Sequence, residues 1–215
     1  KDLKNISLDR IMQIAHERFA AANNFTFTII GNFDEQTIRP LVCQYIASLP
    51  GKEKAVASPE ARTYFTGKTS IDFKRKMETP KPYIAKFLGG DIDYTLKNDI
   101  MASYAGEVLS QILLKAVRED AGATYSIGAY CGLQPRQEGK ARLQVQIQSP
   151  ISKPELVDTA LQITNKCIKD AAEKVDPEMV AKVKANFPKD ADVNAKKNNH
   201  CENIIFEHTT RGIDT

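Results

Sequence analysis

The chain has 215 residues, 42% of them hydrophobic and 27% charged, with a formal net charge of +3. That size supports one substantial core or two small ones packed together, and the lysines are spread along the chain, which excludes a concentrated nucleic-acid footprint. No apolar run approaches the length needed to cross a bilayer, and no signal peptide is present, although a chain beginning at Lys1 is expected to be a piece of a longer polypeptide and so says nothing of compartment.

Ser7 is placed to cap a helix from Leu8 to Ala22, where Ile11, Ile14, Ala15 and Ala22 recur at helical spacing. Asn23 and Asn24 stop it. Residues 25–30 (FTFTII) are β-branched or aromatic and predict a strand. Asp34 predicts the cap of a second helix carrying Ile38, Leu41, Val42, Tyr45 and Ile46, with Pro40 near its start or at a kink. Pro50 and Gly51 close that unit, and a polar connector follows. Further strands are predicted over Thr63–Phe65, Ser70–Lys76 and Tyr83–Leu88, the last closed by Gly89 and Gly90.

A long helix is predicted from Thr95 to Val117, with an apolar face that includes Ile100, Tyr104, Val108, Leu109, Ile112 and Leu113. Gly122 breaks it, and a strand is predicted from Tyr125 to Cys131. Residues 142–149 (RLQVQIQS) alternate, with Leu143, Val145 and Ile147 on one face and Gln144, Gln146 and Gln148 on the other. This pattern suits an antiparallel sheet with one wet face, either solvated or touching another domain. Pro154 opens a helix to Lys174. Asp176-Pro177-Glu178 supplies a cap, a rigid first residue and an acidic first turn for the next helix. Pro188 is expected to kink or split that helix, and a helical tail to run toward His208. The order is α-β-α, β-β-β-α, β-β-α-α: an α+β fold, a mainly antiparallel sheet with helices packed on one face.

The chain holds no complete catalytic set. Cys43, Cys131, Cys167 and Cys201 are scattered without a CxxC, which reads as buried free thiols, a disulfide remaining open. His16-Glu17 is not followed by a histidine at position 20, so HExxH is absent, and the inverted motif HxxEH is absent as well. His200 and His208 would stand about 12 Å apart along a continuous helix, too far to share a metal whose ligands lie about 2 Å from it. There is no nucleophile elbow, phosphate loop or dinucleotide fingerprint.

What remains is residues 117–126, VREDAGATYS. An arginine at a helix end and a tyrosine beyond a glycine turn could aim a cation and a phenol at one space. Taken alone, each has a structural explanation: Arg118 complements the helix C-terminus, and Tyr125 is an ordinary strand aromatic.

In combination the segments say more. NFTFTIIGNFD at 24–34, with the helix that follows it to SLPG at 48–51, resembles the strand-Gly-helix signature of the insulinase/pitrilysin-type zinc metallopeptidases, the inverted zincins. LLKAVREDAGATYSI at 113–127 resembles the arginine-tyrosine motif of that family, and DPEMVAKVK at 176–184 its late helix. The resemblance covers nearly the whole chain, in the right order. It implies the metallopeptidase-half fold of the insulinase and processing-peptidase type. The whole of 1–215 would be a single C-terminal-type domain, similar to those of bacterial members. It also implies a division of labour. Zinc would be held by HxxEH and a downstream glutamate in a partner N-terminal-type domain, on the same chain or another subunit. This domain would close over a peptide or unfolded-protein substrate, with Arg118 and Tyr125 contacting it near the scissile bond. The expected compartment is the periplasm or cell envelope, and the chain alone is expected to be inactive. Asp120 and the Ala123-Thr124 pair read as tolerable variants of the motif, and Pro188 as a departure that puts helix packing in doubt. Two other readings stand beside this one: a non-catalytic structural or peptide-binding relative, and an unrelated α+β binding module.

Overall fold

The computed structural model describes residues 2–19, 21–51, 67–136 and 139–213. The described chain divides into two compact units, one of residues 1–71 with 197–214 and one of residues 72–196.

The first unit is helical. Helix α1 spans Leu8–Phe19, and a short 3-10 turn, Ala22–Asn24, follows. Helix α2 spans Glu35–Tyr45 and is capped as expected, the Asp34 carboxylate accepting from the Thr37 amide at 2.9 Å. Pro40 sits inside α2 rather than at its first turn. Helix α6 spans Asn198–Arg211 and ends at Gly212, whose left-handed backbone (φ +65°) lets its amide fold back to the His208 carbonyl. Residues 25–30 join no strand ladder among the described residues, and neither do residues 70–76. Strand propensity describes a surface that fits a sheet; a ladder also needs a partner backbone. The strand expected over 63–65 lies outside the described residues.

The second unit carries the sheet. Strand β1 spans Tyr83–Asp93, β2 spans Gly128–Pro135 and β3 spans Lys140–Pro150, in the order β1-β3-β2, antiparallel throughout. β1 does not stop at Gly89 and Gly90 but runs through them, because Arg142 and Leu143 of β3 lie against that stretch. Register fixes the faces. Gln146 stands between Phe87 and Tyr130, and Gln148 between Ala85 and Gly128, on one side; Ile147 stands between Lys86 and Ala129 on the other. The glutamine alternation thus reads out as expected: Ile147 is fully buried, and Gln148 is exposed.

Within this unit, helices pack on the Ile147 side. Helix α3 spans Leu96–Leu113, capped by Thr95, whose hydroxyl accepts from the Asn98 amide at 3.0 Å. It packs along β2, while α4, Val157–Glu173, lies against β1. Their contact closes a core that includes Ile84, Leu109, Leu113, Val117, Ile127, Ile147 and Ile151. Helix α5, Pro177–Asn194, is continuous through Pro188 and rests on α3, where Phe187 stacks on Tyr104 with ring centroids 3.7 Å apart. The architecture is α+β, with helices on one face of an antiparallel sheet.

One length expectation is corrected. With its extension, the helical stretch Leu96–Asp120 runs 25 residues and is long and apolar enough, by length and composition, to cross a membrane. Charges at Lys97, Asp99 and Glu107 hide this in a scan for unbroken apolar runs. Part of its apolar surface is buried, with Leu109, Leu113 and Val117 in the core, while Leu96, Ile100 and Met101 are exposed.

Candidate functional site

The expected helix end at Val117 is not an α-helix end. From Leu114 to Asp120 the backbone widens into a π-helix of seven residues, carrying Arg118 in its last turn. Long π segments are rare and cluster at functional positions. Here the widening keeps Val117 fully buried in the core while leaving Arg118 outside. The chain then reverses at Gly122, at φ +59°, a conformation that costs other residues strain. The amides of Gly122 and Ala123 fold back to the carbonyls of Arg118 and Val117, at 3.1 and 3.0 Å, and satisfy the open helix end.

Tyr125 does not open β2, which begins three residues later at Gly128. It stands on the connecting turn instead, 86% exposed, between Thr124 at 4% and the buried Ile127. Ala123 and Ile127 belong to the core cluster, so the turn is nailed down on both sides of an exposed phenol. The structure therefore puts Arg118 and Tyr125 on the two sides of one glycine reversal. Among the described residues, neither side chain makes a hydrogen bond or ion pair within the chain. Both groups are open to an external acceptor. Sequence reasoning named these two residues but misplaced Tyr125 in a strand. It also passed over Thr124, whose buried hydroxyl is visible only once the turn is folded.

The sheet face opposite α3 and α4 follows this turn in the chain. Tyr83, Phe87 and Tyr130 are exposed on it, and a shallow open depression is lined by Gly128, Ala129, Tyr130, Gln146 and Gln148. The Tyr83 hydroxyl donates to Gln148 Oε1 at 2.7 Å, and the Arg142 guanidinium crosses Gly89 to reach Asp91 at 3.2 Å.

Histidine and cysteine chemistry is not assembled. His16 lies on α1, and His200 and His208 lie on α6. Among the described residues no group of three His, Cys, Asp or Glu side chains could hold a metal, so these side chains do not fit a zinc site of their own. All four cysteines are free; Cys131 and Cys167 are buried as expected, whereas Cys43 and Cys201 are exposed. Burial pushes the thiols of Cys131 and Cys167 up from their ordinary value, which makes them poor nucleophiles.

Comparison with known proteins adds the following. Residues 5–187 match the sequence profile described as the peptidase M16 inactive domain. No curated protein sequence matches the chain significantly. Among solved structures, the fold is similar to the ferredoxin protease FusC, determined as a point mutant in complex with Arabidopsis ferredoxin. That match has a TM-score of 0.62 at 16% identity, over 98% of this chain and 23% of that one. It is also similar to the periplasmic protease PqqL from Escherichia coli, with a TM-score of 0.55 at 20% identity, over 83% of this chain and 19% of that one. The chain thus spans about a quarter or less of the length of these structures.

Proposed function

The chain belongs to the peptidase M16 inactive-domain family, and from that premise we propose that it is the substrate-closing, C-terminal-type domain of a zinc-dependent peptidase. In this reading it is one domain of a longer protein or complex. The zinc belongs to an N-terminal-type partner domain, and the substrate is a peptide or unfolded protein. The periplasm is the proposed compartment, in keeping with the setting of the similar PqqL.

The observation that carries the reading is the pair Arg118 and Tyr125. They flank one glycine reversal anchored in the core, and among the described residues both lack an internal partner. A guanidinium offers up to five N–H donors in a fixed fork, and a phenol offers one O–H. Both suit the carbonyl oxygens of a bound peptide. When a carbonyl is attacked, negative charge gathers on its oxygen, and a donor already aimed there stabilises the transition state more than the ground state. Tyr125 is assigned to that oxygen, and Arg118 to the oxygen or to neighbouring carbonyls.

The test is peptide cleavage by the complete peptidase that contains this domain, with Tyr125→Phe and Arg118→Ala. Loss of one such donor typically costs about 2.7–4 kcal/mol in the transition state, so kcat should fall by about 10²–10³ in the Tyr125→Phe enzyme. Wild-type rates in both variants would overturn the assignment. Unchanged peptide affinity together with abolished turnover would support it most directly.

A further inference from the structure

Tyr125 makes no internal polar contact of its own, yet its backbone neighbours are held by two buried hydroxyls that the proposed chemistry does not use. Thr124 is 4% exposed and Ser149, near the end of β3, is 0% exposed. The Ser126 amide donates to Thr124 Oγ1 at 3.1 Å, bridging across Tyr125. The Thr124 hydroxyl in turn lies 2.5 Å from the Pro150 carbonyl, the nearer of its two carbonyl acceptors, and 3.0 Å from the Ser126 carbonyl. The Ser149 hydroxyl reaches Thr124 Oγ1 and the Ser126 carbonyl, each at 2.9 Å. One step further, the Ser152 amide donates to the Ala123 carbonyl at 2.8 Å. Thr124 Oγ1 thus accepts from one side of Tyr125 while donating to the strand end beneath it.

The strand end is itself fixed. Ser149 pairs with Ile84 and Pro150 with Tyr83 in the β1–β3 ladder, and the Ile151 amide donates to the Pro82 carbonyl at 2.9 Å. The position of the Tyr125 backbone is therefore set by the sheet through the two hydroxyls. An exposed tyrosine whose function needed no defined position would not require this. Buried hydroxyls are costly unless satisfied, and apolar residues could fill the same space.

We infer that Thr124 and Ser149 are positioning residues for Tyr125: a hydroxyl relay that locks the turn so that the phenol is held where the substrate carbonyl arrives. This rests on the reading of Tyr125 as a substrate-contacting group. A donor must stand within a fraction of an ångström of its acceptor, and a misplacement of about 1 Å can cost about 10²-fold in rate. The relay supplies that placement through the backbone of the turn, since the ring itself is 86% exposed.

The experiment uses the complete peptidase and compares Thr124→Val, Thr124→Ser, Ser149→Ala, Tyr125→Phe and the double variant of Thr124→Val with Tyr125→Phe. Thermal denaturation of each is followed alongside steady-state kinetics. Thr124→Val is expected to lower kcat by roughly tenfold or more with a smaller change in KM, and Thr124→Ser, which keeps the hydroxyl, to restore most of it. In the Tyr125→Phe background the same Thr124→Val change should cost less than about twofold, because groups that act as a unit are not additive. Should Thr124→Val fail to fold, Ser149→Ala, which leaves Thr124 in place, carries the same expectation against Tyr125→Phe. A kcat within twofold of wild type for Thr124→Val, or for Ser149→Ala in its stead, would overturn the relay, as would an equal loss with and without the Tyr125 hydroxyl. The Tyr125→Phe enzyme by itself separates the two claims. Impaired Tyr125→Phe with unimpaired Thr124→Val removes the relay alone, and unimpaired Tyr125→Phe removes both.

Discussion

Thr164 carries a buried hydroxyl with no hydrogen-bond partner among the described residues. It sits on the inward side of α4, fully buried, and among the described residues its Oγ1 meets no donor or acceptor. An unsatisfied hydroxyl of this kind costs about 1–3 kcal/mol, and valine has nearly the same shape without it. Thr164→Val is therefore expected to stabilise the fold by about 1 kcal/mol or more, read as a rise in the denaturant midpoint at unchanged slope. A lower midpoint would mean that the hydroxyl has a partner. The cysteines make a second case at this scale. Burial raises the thiol pKa of Cys131 and, chiefly by the same cause, of Cys167. Both keep their protons in the folded chain at a pH where the unfolded chain has begun to lose them. The unfolded state then binds fewer protons, so stability is full below the ordinary thiol value and falls as pH rises past it. Denaturant midpoints should decline from neutral to alkaline pH, and less steeply in Cys131→Ala; parallel declines in both proteins would remove the thiol from the account. The sequence tells little at this scale. It shows a threonine or a cysteine on an apolar helix or strand, but satisfaction and burial depend on what packs opposite.

Helix α3 approaches β2 closely at Gly106. A Cβ there would lie 2.8 Å from the Cys131 amide nitrogen and 3.3 Å from the Cys131 Cβ, so glycine is what lets α3 settle onto β2. The obstacle is backbone, which cannot swing aside as a side chain can. Gly106→Ala gains helix propensity of about 1 kcal/mol but is expected to lose about 1–3 kcal/mol to overpacking. The net result is destabilisation, and a variant with an unchanged or raised melting temperature would show that α3 can shift. Much of the element pattern is legible beforehand because it is local. Asp34 and Asp176 each cap the helix that their position promises, with bonds of 2.9 Å to amides in the first turn, while Thr95, expected as the first residue of its helix, caps it instead at 3.0 Å. The glutamine alternation of β3 gives its two faces directly. The misses come where distant partners decide. The pattern of residues 25–30 is that of a strand, yet no ladder forms on them among the described residues. The π-helix at Leu114–Asp120 is invisible because LKAVRED fits an α-helical stripe equally well. Across the wider turn, Leu113 and Val117 both stay in the core.

At the scale of the whole molecule, the chemistry is divided by what this chain lacks the means to do. Its described side chains group no three donors for a metal, its buried thiols are held away from reactivity, and Arg118 and Tyr125 offer hydrogen-bond donors. Donors of that kind stabilise charge that another group creates. The family is legible in the sequence because its motif segments are local, while the roles of Arg118 and Tyr125 and the zinc chemistry stay part of the proposed reading, in which the catalytic centre belongs to another domain. The consequence is measurable on the isolated chain. After incubation with zinc and exhaustive dialysis, metal analysis should find no stoichiometric zinc, and unstructured peptides should not be cleaved above background. Adding the zinc-bearing partner domain should restore cleavage, and the restored rate should depend on Tyr125 as it does in the complete peptidase. Stoichiometric zinc with cleavage by the isolated chain would place a catalytic centre here after all. Restored cleavage that is indifferent to Tyr125→Phe would leave this domain a scaffold that closes the chamber without touching the reacting carbonyl.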